Sequence, residues 1–525
     1  MATADGKSIL AIDLGTSAVK LAVITLRGAI LAGEVEPYPL SLLPDGGAEQ
    51  EPQAWWEAIV RATRRLLERG TVAASDIVGV NCSAQWSGTV AVDEQGQPLR
   101  PAILWMDSRG GRYVQRLIDG FLPIEGYGLR KAFHWLRLTG GAPSLSGKDP
   151  VGHILFLQHE YPDIYRRTYK FLEPKDWLNL RLTGRFAASF DSITLHWVTD
   201  NRKVSQVRYD ERLMRQTGMP REKLPELLPA ASVIGPLQPE AARELGLGEH
   251  VQVVTGSPDI LAAAVGSGAV RDFEAHLCIG TSSWLSCHVP YKKADPLHQM
   301  GTVPSALPGR YLLLNEQDSA GICLTFLKNL LFEGNAPPTQ DIYAAFEREA
   351  SRVPAGSDRV IFLPWLNGER SPVEDRLVRG AFFNQSLQTT RGHLVRSVLE
   401  GVAYNARWLL TYVEPFLGRK LEGIRLIGGG ARSQLWCQIL ADVLDRPIHQ
   451  VDEPVLANAR GAALQAAVAL GHLTVEEIPQ LVTISRTYTP DARNRGLYDE
   501  LFREFLNLYK SNKAIFARLN RPRSD

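Results

Sequence analysis

The chain has 525 residues, and at roughly 100 to 200 residues per domain that length predicts more than one. Hydrophobic residues make up 45% and charged residues 22%, an ordinary globular balance that excludes collagen-like, coiled-coil and disordered chains. With 58 Lys and Arg against 57 Asp and Glu, the net charge of +1 excludes a polyanion binder driven by charge, so no nucleic-acid partner is expected.

No run of about 18 apolar residues exists to cross a membrane, and the first residues lack the apolar stretch of a secretion signal. Five cysteines, Cys82, Cys278, Cys287, Cys323 and Cys437, are an odd number without a C-x-x-C pair. They read as reduced, mostly buried thiols of a cytoplasmic protein.

In chain order, Ser8 to Asp13 and Lys20 to Leu26 are short apolar runs joined by a Gly-Thr-Ser tip, a β-hairpin. Pro52 to Gly70 places Trp55/Trp56, Ile59/Val60 and Leu66/Leu67 on one helical stripe ended by Gly70. Strands follow at Ile77 to Asn81 and Thr89 to Val92, then at Gln252 to Thr255, where Pro258 leads into an Ala-rich helix from Ile260. This alternation predicts an α/β architecture. The segment from about Pro479 is polar and helical in pattern, and its basic end, Arg521 to Asp525, reads as a solvated tail.

Asp13-Leu-Gly-Thr-Ser17 is echoed by Cys278-Ile-Gly-Thr-Ser282, about half a chain later. The echo predicts two similar halves, each opening with a phosphate-facing hairpin. A boundary falls near 266 to 272, giving domains 1–266 and 267–525, with the glycines there available as a hinge.

The common catalytic motifs are missing. Gly141 to Lys148 is close to a P-loop, but Ala142 and Asp149 stand where Gly and Ser or Thr are required, and no H-E-x-x-H, G-x-S-x-G or complete G-x-G-x-x-G occurs. What remains is turns. In Gly15-Thr16-Ser17, backbone N–H groups and hydroxyls can face a phosphate, with Asp13 placed to hold Mg²⁺ through water. A plain hairpin is the alternative for one such turn, and the repeat at Gly280-Thr281-Ser282 favours a nucleotide held between two domains. Gly428-Gly429-Gly430-Ala431, between the run Ile424 to Ile427 and a helix, lets a flat ligand approach the backbone.

Asp259 lies near a helix N-terminus, where the dipole favours its ionised form. It reads as a base that takes a hydroxyl proton, with a helix-capping Asp as the alternative. Gln85-Trp86-Ser87-Gly88 and Trp105-Met-Asp107-Ser-Arg109 combine indole faces with polar groups, which suits a polyol; for either Trp, a core role is the alternative.

Taken together, the pattern resembles the FGGY family of carbohydrate kinases, and most closely its xylulokinase-like branch. The resemblance runs to about residue 470. It is carried by Ile12 to Ser17 with Lys20, Pro101 to Trp105 with Asp107 and Arg109, Pro174-Lys-Asp176, Gly280 to Ser282, Phe362 to Arg370, Leu399 to Val402 and Leu426 to Ser433. It implies an actin-like (ribonuclease H-like) fold of two domains with ATP and sugar in the cleft between them.

By that analogy Asp259 is the catalytic base and Asp13 the acidic residue beside Mg²⁺ and ATP. Gly15, Thr16, Ser17 and Lys20 serve the first phosphate turn, Gly280, Thr281 and Ser282 the second, and Gly429, Gly430 and Ala431 the adenosine. Trp105 matches a tryptophan that lines the sugar pocket, and with the polar groups read above the expected acceptor contacts are Gln85, Trp86, Ser87, Trp105, Asp107 and Asp259.

The chain departs from the pattern where Trp86-Ser87 replaces Met-His, where Ser257-Pro258-Asp259 replaces Gly-Gly-Asp, at His153 and Phe156 (usually Lys and Trp), and at Asn384 (usually Gly). The expected reaction is phosphorylation of a primary hydroxyl of a small sugar, a ketopentose such as D-xylulose, with another polyol, ketose or non-sugar acceptor as the alternative. A nucleotide-switched binding protein of the same fold is the reading from another class. A homodimer is left open.

Overall fold

The computed structural model describes residues 6–120, 123–124, 127–332 and 341–521. β1 (Ser8–Leu14) is apolar along nearly its whole length, and all seven residues are buried, as expected of a strand covered on both faces. It turns through the Gly-Thr-Ser tip into antiparallel β2 (Ala18–Thr25), which pairs with β3 (Ile30–Pro37). Helix α1 (Pro52–Glu68) starts on Pro52, which needs no N–H donor there, and its chain turns away at Gly70, φ +69°.

β4 (Ile77–Ala84) lies parallel to β1. Helices α2 (Pro150–Glu160) and α3 (Pro174–Thr183) precede β5 (Val233–Pro236) and β6 (Gln252–Pro258), and β6 runs straight into α4 (Asp259–Gly266). The sheet order is β5-β6-β4-β1-β2-β3. Strand alternation splits β1 between two cores. Leu10, Ile12 and Leu14 pack with Trp55, Trp56 and Ile59 of α1 and Trp177 of α3, while Ile9 and Ala11 face the opposite side.

The second half repeats the plan. β7 (Ala275–Ile279) turns into antiparallel β8 (Ser283–Val289), and β9 (Ala294–Asp295), β10 (Met300–Pro304) and β11 (Tyr311–Leu314) extend that side. The long helix α5 (Arg391–Leu417) leads to β12 (Ile424–Ile427), parallel to β7, then α6 (Gln434–Leu444), β13 (Ile448–Val451), α7 (Ala457–Ala469), β14 (Ile484–Tyr488) and α8 (Arg495–Asn520). The order is β9-β10-β11-β8-β7-β12-β13-β14. Thus β3-β2-β1-β4-β6 and β11-β8-β7-β12-β13 share one order and one set of directions, and each gains an antiparallel edge strand, β5 or β14.

Helices α4 and α7 lie between the sheets and seal the halves together. A Cβ on Gly266 would sit 1.7 Å from the Ala457 carbonyl, and one on Gly461 would sit 1.9 Å from that of Ala262. Gly266 therefore permits helix contact rather than a hinge; the left-handed turn falls on Gly268, φ +76°. Asn81 of β4 donates to the Ala462 carbonyl at 2.7 Å and to Gln465 Oε1 at 3.1 Å, tying the first sheet to α7.

Two further readings change. The stretch after Pro479 contains strand β14, and α8 is not simply polar: Tyr498, Leu501, Phe502, Phe505 and Tyr509 are buried, with Phe505 5.2 Å from Trp365 between ring centres. Of the basic tail, residues 522–525 lie outside the described residues. All five cysteines are buried and unpaired with one another, and Asn384 adopts φ +65°, the conformation a glycine would otherwise supply.

Candidate active site

β1, β4 and β6 run parallel, and their C-terminal ends meet at one level: Asp13 is in register with Ser83, and Ser83 with Ser257. Side chains and turns at such strand ends are where α/β sheets carry ligands. Asp13 is only 2% exposed. Its Oδ2 accepts from Lys20 Nζ at 3.0 Å, across the hairpin, while Oδ1 has only long contacts, Ser83 Oγ at 3.4 Å and Asn458 Nδ2 at 3.5 Å. The Asp13 charge holds the Lys20 ammonium above its ordinary pKa.

Asp259 is the first residue of α4. Its half-buried carboxylate accepts from the next backbone N–H, Ile260, at 2.8 Å. Burial first, and then the negative charge of Asp13, push its pKa up to about 7; the Ile260 N–H opposes the shift and Glu316 adds to it. A carboxyl poised near neutrality beside a second acid suits proton abstraction.

The two Gly-Thr-Ser turns differ in what they leave open. In the first, the Thr16 hydroxyl is engaged inward: it accepts from Trp105 Nε1 at 3.1 Å and donates to Gln85 Oε1 at 3.2 Å. Ser17 is exposed. In the second, Gly280 N–H donates to Ser282 O at 2.9 Å, and Ala320 and Gly321 N–H groups bind the Thr281 and Gly280 carbonyls. The Thr281 side chain is exposed and makes no hydrogen bond to the described residues.

Burial raises the Cys278 thiol pKa, and Asp259 and Asp13 raise it further. The glycine turn after β12 packs on the end of β7. A Cβ on Gly428 (φ +87°) would lie 2.6 Å from Ile279 O and one on Gly430 2.4 Å from Ile279 Cγ2, whereas Gly429 faces open space. Ala431 is fully buried, with its carbonyl accepting from Gln450 Nε2 at 2.6 Å.

Gln85, Trp86, Ser87, Trp105 and Asp107, read as acceptor contacts, are each hydrogen-bonded to protein partners. Gln85 donates to Gln50 Oε1 at 3.0 Å as well as accepting from Thr16. Trp86 Nε1 donates to Ser192 O at 3.0 Å, and Ser87, at φ +64°, donates to Lys148 O at 2.9 Å. Asp107, 1% exposed, binds the N–H groups of Ala48 and Arg109 at 3.0 Å each and the Arg109 guanidinium. It braces Arg109 rather than opening to the cleft. Beneath the turn, Glu173 accepts from Gly88 N–H at 2.9 Å, and Pro174 sits where a Gly88 side chain would be. His153 is buried against Thr89, and burial pushes its pKa down to about 4.

Sequence reasoning assigned no role to Lys148 or to the charged residues around Arg370 that act on it. Arg370 pairs with Glu316, and with Asp318 at 3.1 Å; buried Glu369 accepts from Asn405 Nδ2 at 2.5 Å and from the Asp318 and Arg370 N–H groups. Burial raises the Glu369 pKa to about 8. Glu369 and Arg370 lie in a stretch that the family resemblance already singled out, and that was the signal available.

No group of three or more His, Cys, Asp or Glu side chains among the described residues could enclose a metal. Asp13, with one oxygen making only long contacts, fits Mg²⁺, which keeps most of its waters and takes one or two carboxylates plus phosphate oxygens.

The comparisons agree with this architecture. The models of the FGGY family of carbohydrate kinases match at residues 8–266 (N-terminal domain) and 275–470 (C-terminal domain). The chain is 31% identical over 520 residues to the xylulose kinase of Escherichia coli (strain K12), covering 97% of this chain and 100% of that protein. It is 24% identical to the gluconokinase of Bacillus subtilis (strain 168), covering 95% of each. The crystal structure of ligand-bound xylulose kinase from Lactobacillus acidophilus superposes with a TM-score of 0.85 at 24% identity, covering 98% of this chain and 100% of that one. The duplicated actin-like fold and the family match over residues 8–266 and 275–470 agree: this chain is an enzyme belonging to the FGGY family of carbohydrate kinases.

Proposed function

We propose that the enzyme transfers the γ-phosphoryl group of ATP to a primary hydroxyl of a small sugar, a ketopentose such as D-xylulose. The observation that carries the reading is Asp259, raised to about pKa 7 at the start of α4 and within the electrostatic reach of Asp13. Asp259 takes the hydroxyl proton as the oxygen attacks phosphorus. Asp13 and Lys20 hold the charges at the phosphate end, and Mg²⁺, bound through water at Asp13, would supply charge neutralisation of the phosphate oxygens.

Ser17, Thr281 and Ser282 donate to phosphate oxygens in this reading, with residues 1–266 acting as the acceptor half and 267–525 as the nucleotide half. Gly429 offers backbone to the adenosine. Thr16 supports the acceptor wall through Trp105 and Gln85. Relatives named as xylulose kinases support the ketopentose, and the gluconokinase supports a wider acceptor range.

The test is ADP release from Mg-ATP with ketopentoses, their alditols, glycerol and gluconate, with Asp259→Ala as control. A signal with one sugar that disappears in the variant supports the reading. ADP release that ignores both acceptor and Asp259 refutes it.

A further inference from the structure

The turn that should read the acceptor is turned toward the protein. The Ser87 hydroxyl donates to Lys148 O at 2.9 Å and the Trp86 indole to Ser192 O at 3.0 Å, so neither side chain offers its polar hydrogen to a sugar. The Ser87 bond has a second effect: it fixes the Lys148 backbone to the acceptor turn, just before α2.

The Lys148 side chain is half-buried, and its ammonium has no hydrogen-bond or ion-pair partner among the described residues. Asp149 does not serve it, because that carboxylate accepts from Ser144 N–H at 2.6 Å and Trp197 Nε1 at 2.7 Å. Glu316 and Asp318, in the second half of the chain, are already engaged with Arg370. Burial and the Arg370 and Arg376 charges lower the Lys148 pKa, with Asp318 and Glu316 opposing. Glu316 also raises the pKa of Asp259, so one acidic side chain acts on both the ammonium and the base.

We propose that Lys148 determines acceptor specificity by donating to an oxygen that can only accept: the keto oxygen of a ketose or the carboxylate of a sugar acid. An ammonium has three donors and no acceptor, so it matches such an oxygen better than a hydroxyl, whose own proton needs a further partner. A partly desolvated ammonium without a partner is costly, and a bound carbonyl or carboxylate supplies what the protein withholds. This inference rests on the proposed kinase reading.

The experiment compares wild type with Lys148→Met, which keeps the aliphatic stem, and with Lys148→Arg, which keeps the charge. Steady-state kinetics are measured with D-xylulose, with the alditol xylitol and with the aldonate xylonate. In Lys148→Met, KM should rise about 10- to 100-fold for the ketose or the aldonate, whichever wild type uses better. KM for ATP and KM for the alditol should change less than about twofold, and Lys148→Arg should recover part of the loss.

A larger effect with xylonate identifies the carboxylate as the oxygen read, and a larger effect with D-xylulose identifies the keto group. Equal shifts for all three acceptors, no shift, or a shift in KM for ATP overturns the proposal while leaving the kinase reading intact. If wild type phosphorylates none of the three, both fall.

Discussion

The two Gly-Thr-Ser hairpins share sequence and strand pairing but differ in what they present. Asp13 and Cys278 are equivalent, two residues before their glycines. The first is opposite Lys20 and the second opposite Trp284. The second turn is also one residue tighter, since Leu14 pairs with Val19 but Ile279 pairs with Ser283. One half thus carries an ion pair at the strand end, and the other a neutral thiol and an indole. A duplicated fold has kept the hairpin in both halves and placed the charged chemistry in one.

The sharpest way to break this comparison is to remove the charge from one hairpin and alter the neutral group of the other. Asp13→Asn should lower kcat by about 100- to 1000-fold, whereas Cys278→Ser should lower it less than about fivefold, as read from ADP release. Comparable losses at both sites would mean that the second hairpin is also catalytic.

Gly461→Val tests the seam between the halves, because its Cβ would collide with the Ala262 carbonyl. A loss of about 2 kcal/mol or more in denaturant unfolding is expected, against about 1 kcal/mol for Gly471→Ala, whose Cβ would meet nothing within 4 Å, so that only the strain of its φ of +77° is felt.

The two threonines sharpen the contrast. Thr281→Val should raise KM for ATP about tenfold and leave the sugar KM unchanged, while Thr16→Val should do the reverse, because its hydroxyl holds Trp105 and Gln85.

The smallest effect is with pH. A base must be ionised, so kcat/KM should rise with pH and level off above about 7, the raised Asp259 pKa. The same shift is linked to stability. The folded chain holds this proton more tightly than the unfolded one, so the associated stability is complete below about pH 4 and lost as pH rises through about 7. Asp259→Asn should therefore melt about 2 °C above wild type at pH 8 and show no such gain at pH 4.

The local chemistry was legible in the chain. Hairpin tips, the Gly428 to Gly430 turn and the Pro258-Asp259 start of a helix are contiguous residues whose conformational needs do not depend on distant partners. The repeat of Gly-Thr-Ser, with strand-like flanks, foretold the paired sheets for the same reason. α8 was harder to read: its buried face of Tyr498, Leu501, Phe502, Phe505 and Tyr509 alternates with charges, and its burial depends on the Trp365 and Trp408 surface far away in sequence.

The sequence by itself determined the two-half plan and the acidic and hydroxyl groups at the strand ends, because strand alternation and tight turns are decided within a few residues. Only the tertiary structure decided which polar groups remain open. Thr16, Gln85, Trp86 and Ser87 find their partners 34 to 106 positions away, so their engagement is invisible along the chain, as is the isolation of Lys148. Gly266 and Gly461 likewise acquire their purpose only when α4 and α7 meet. A hydrogen bond or a close contact joins two atoms in space, and a residue's type cannot state whether its partner is protein or ligand.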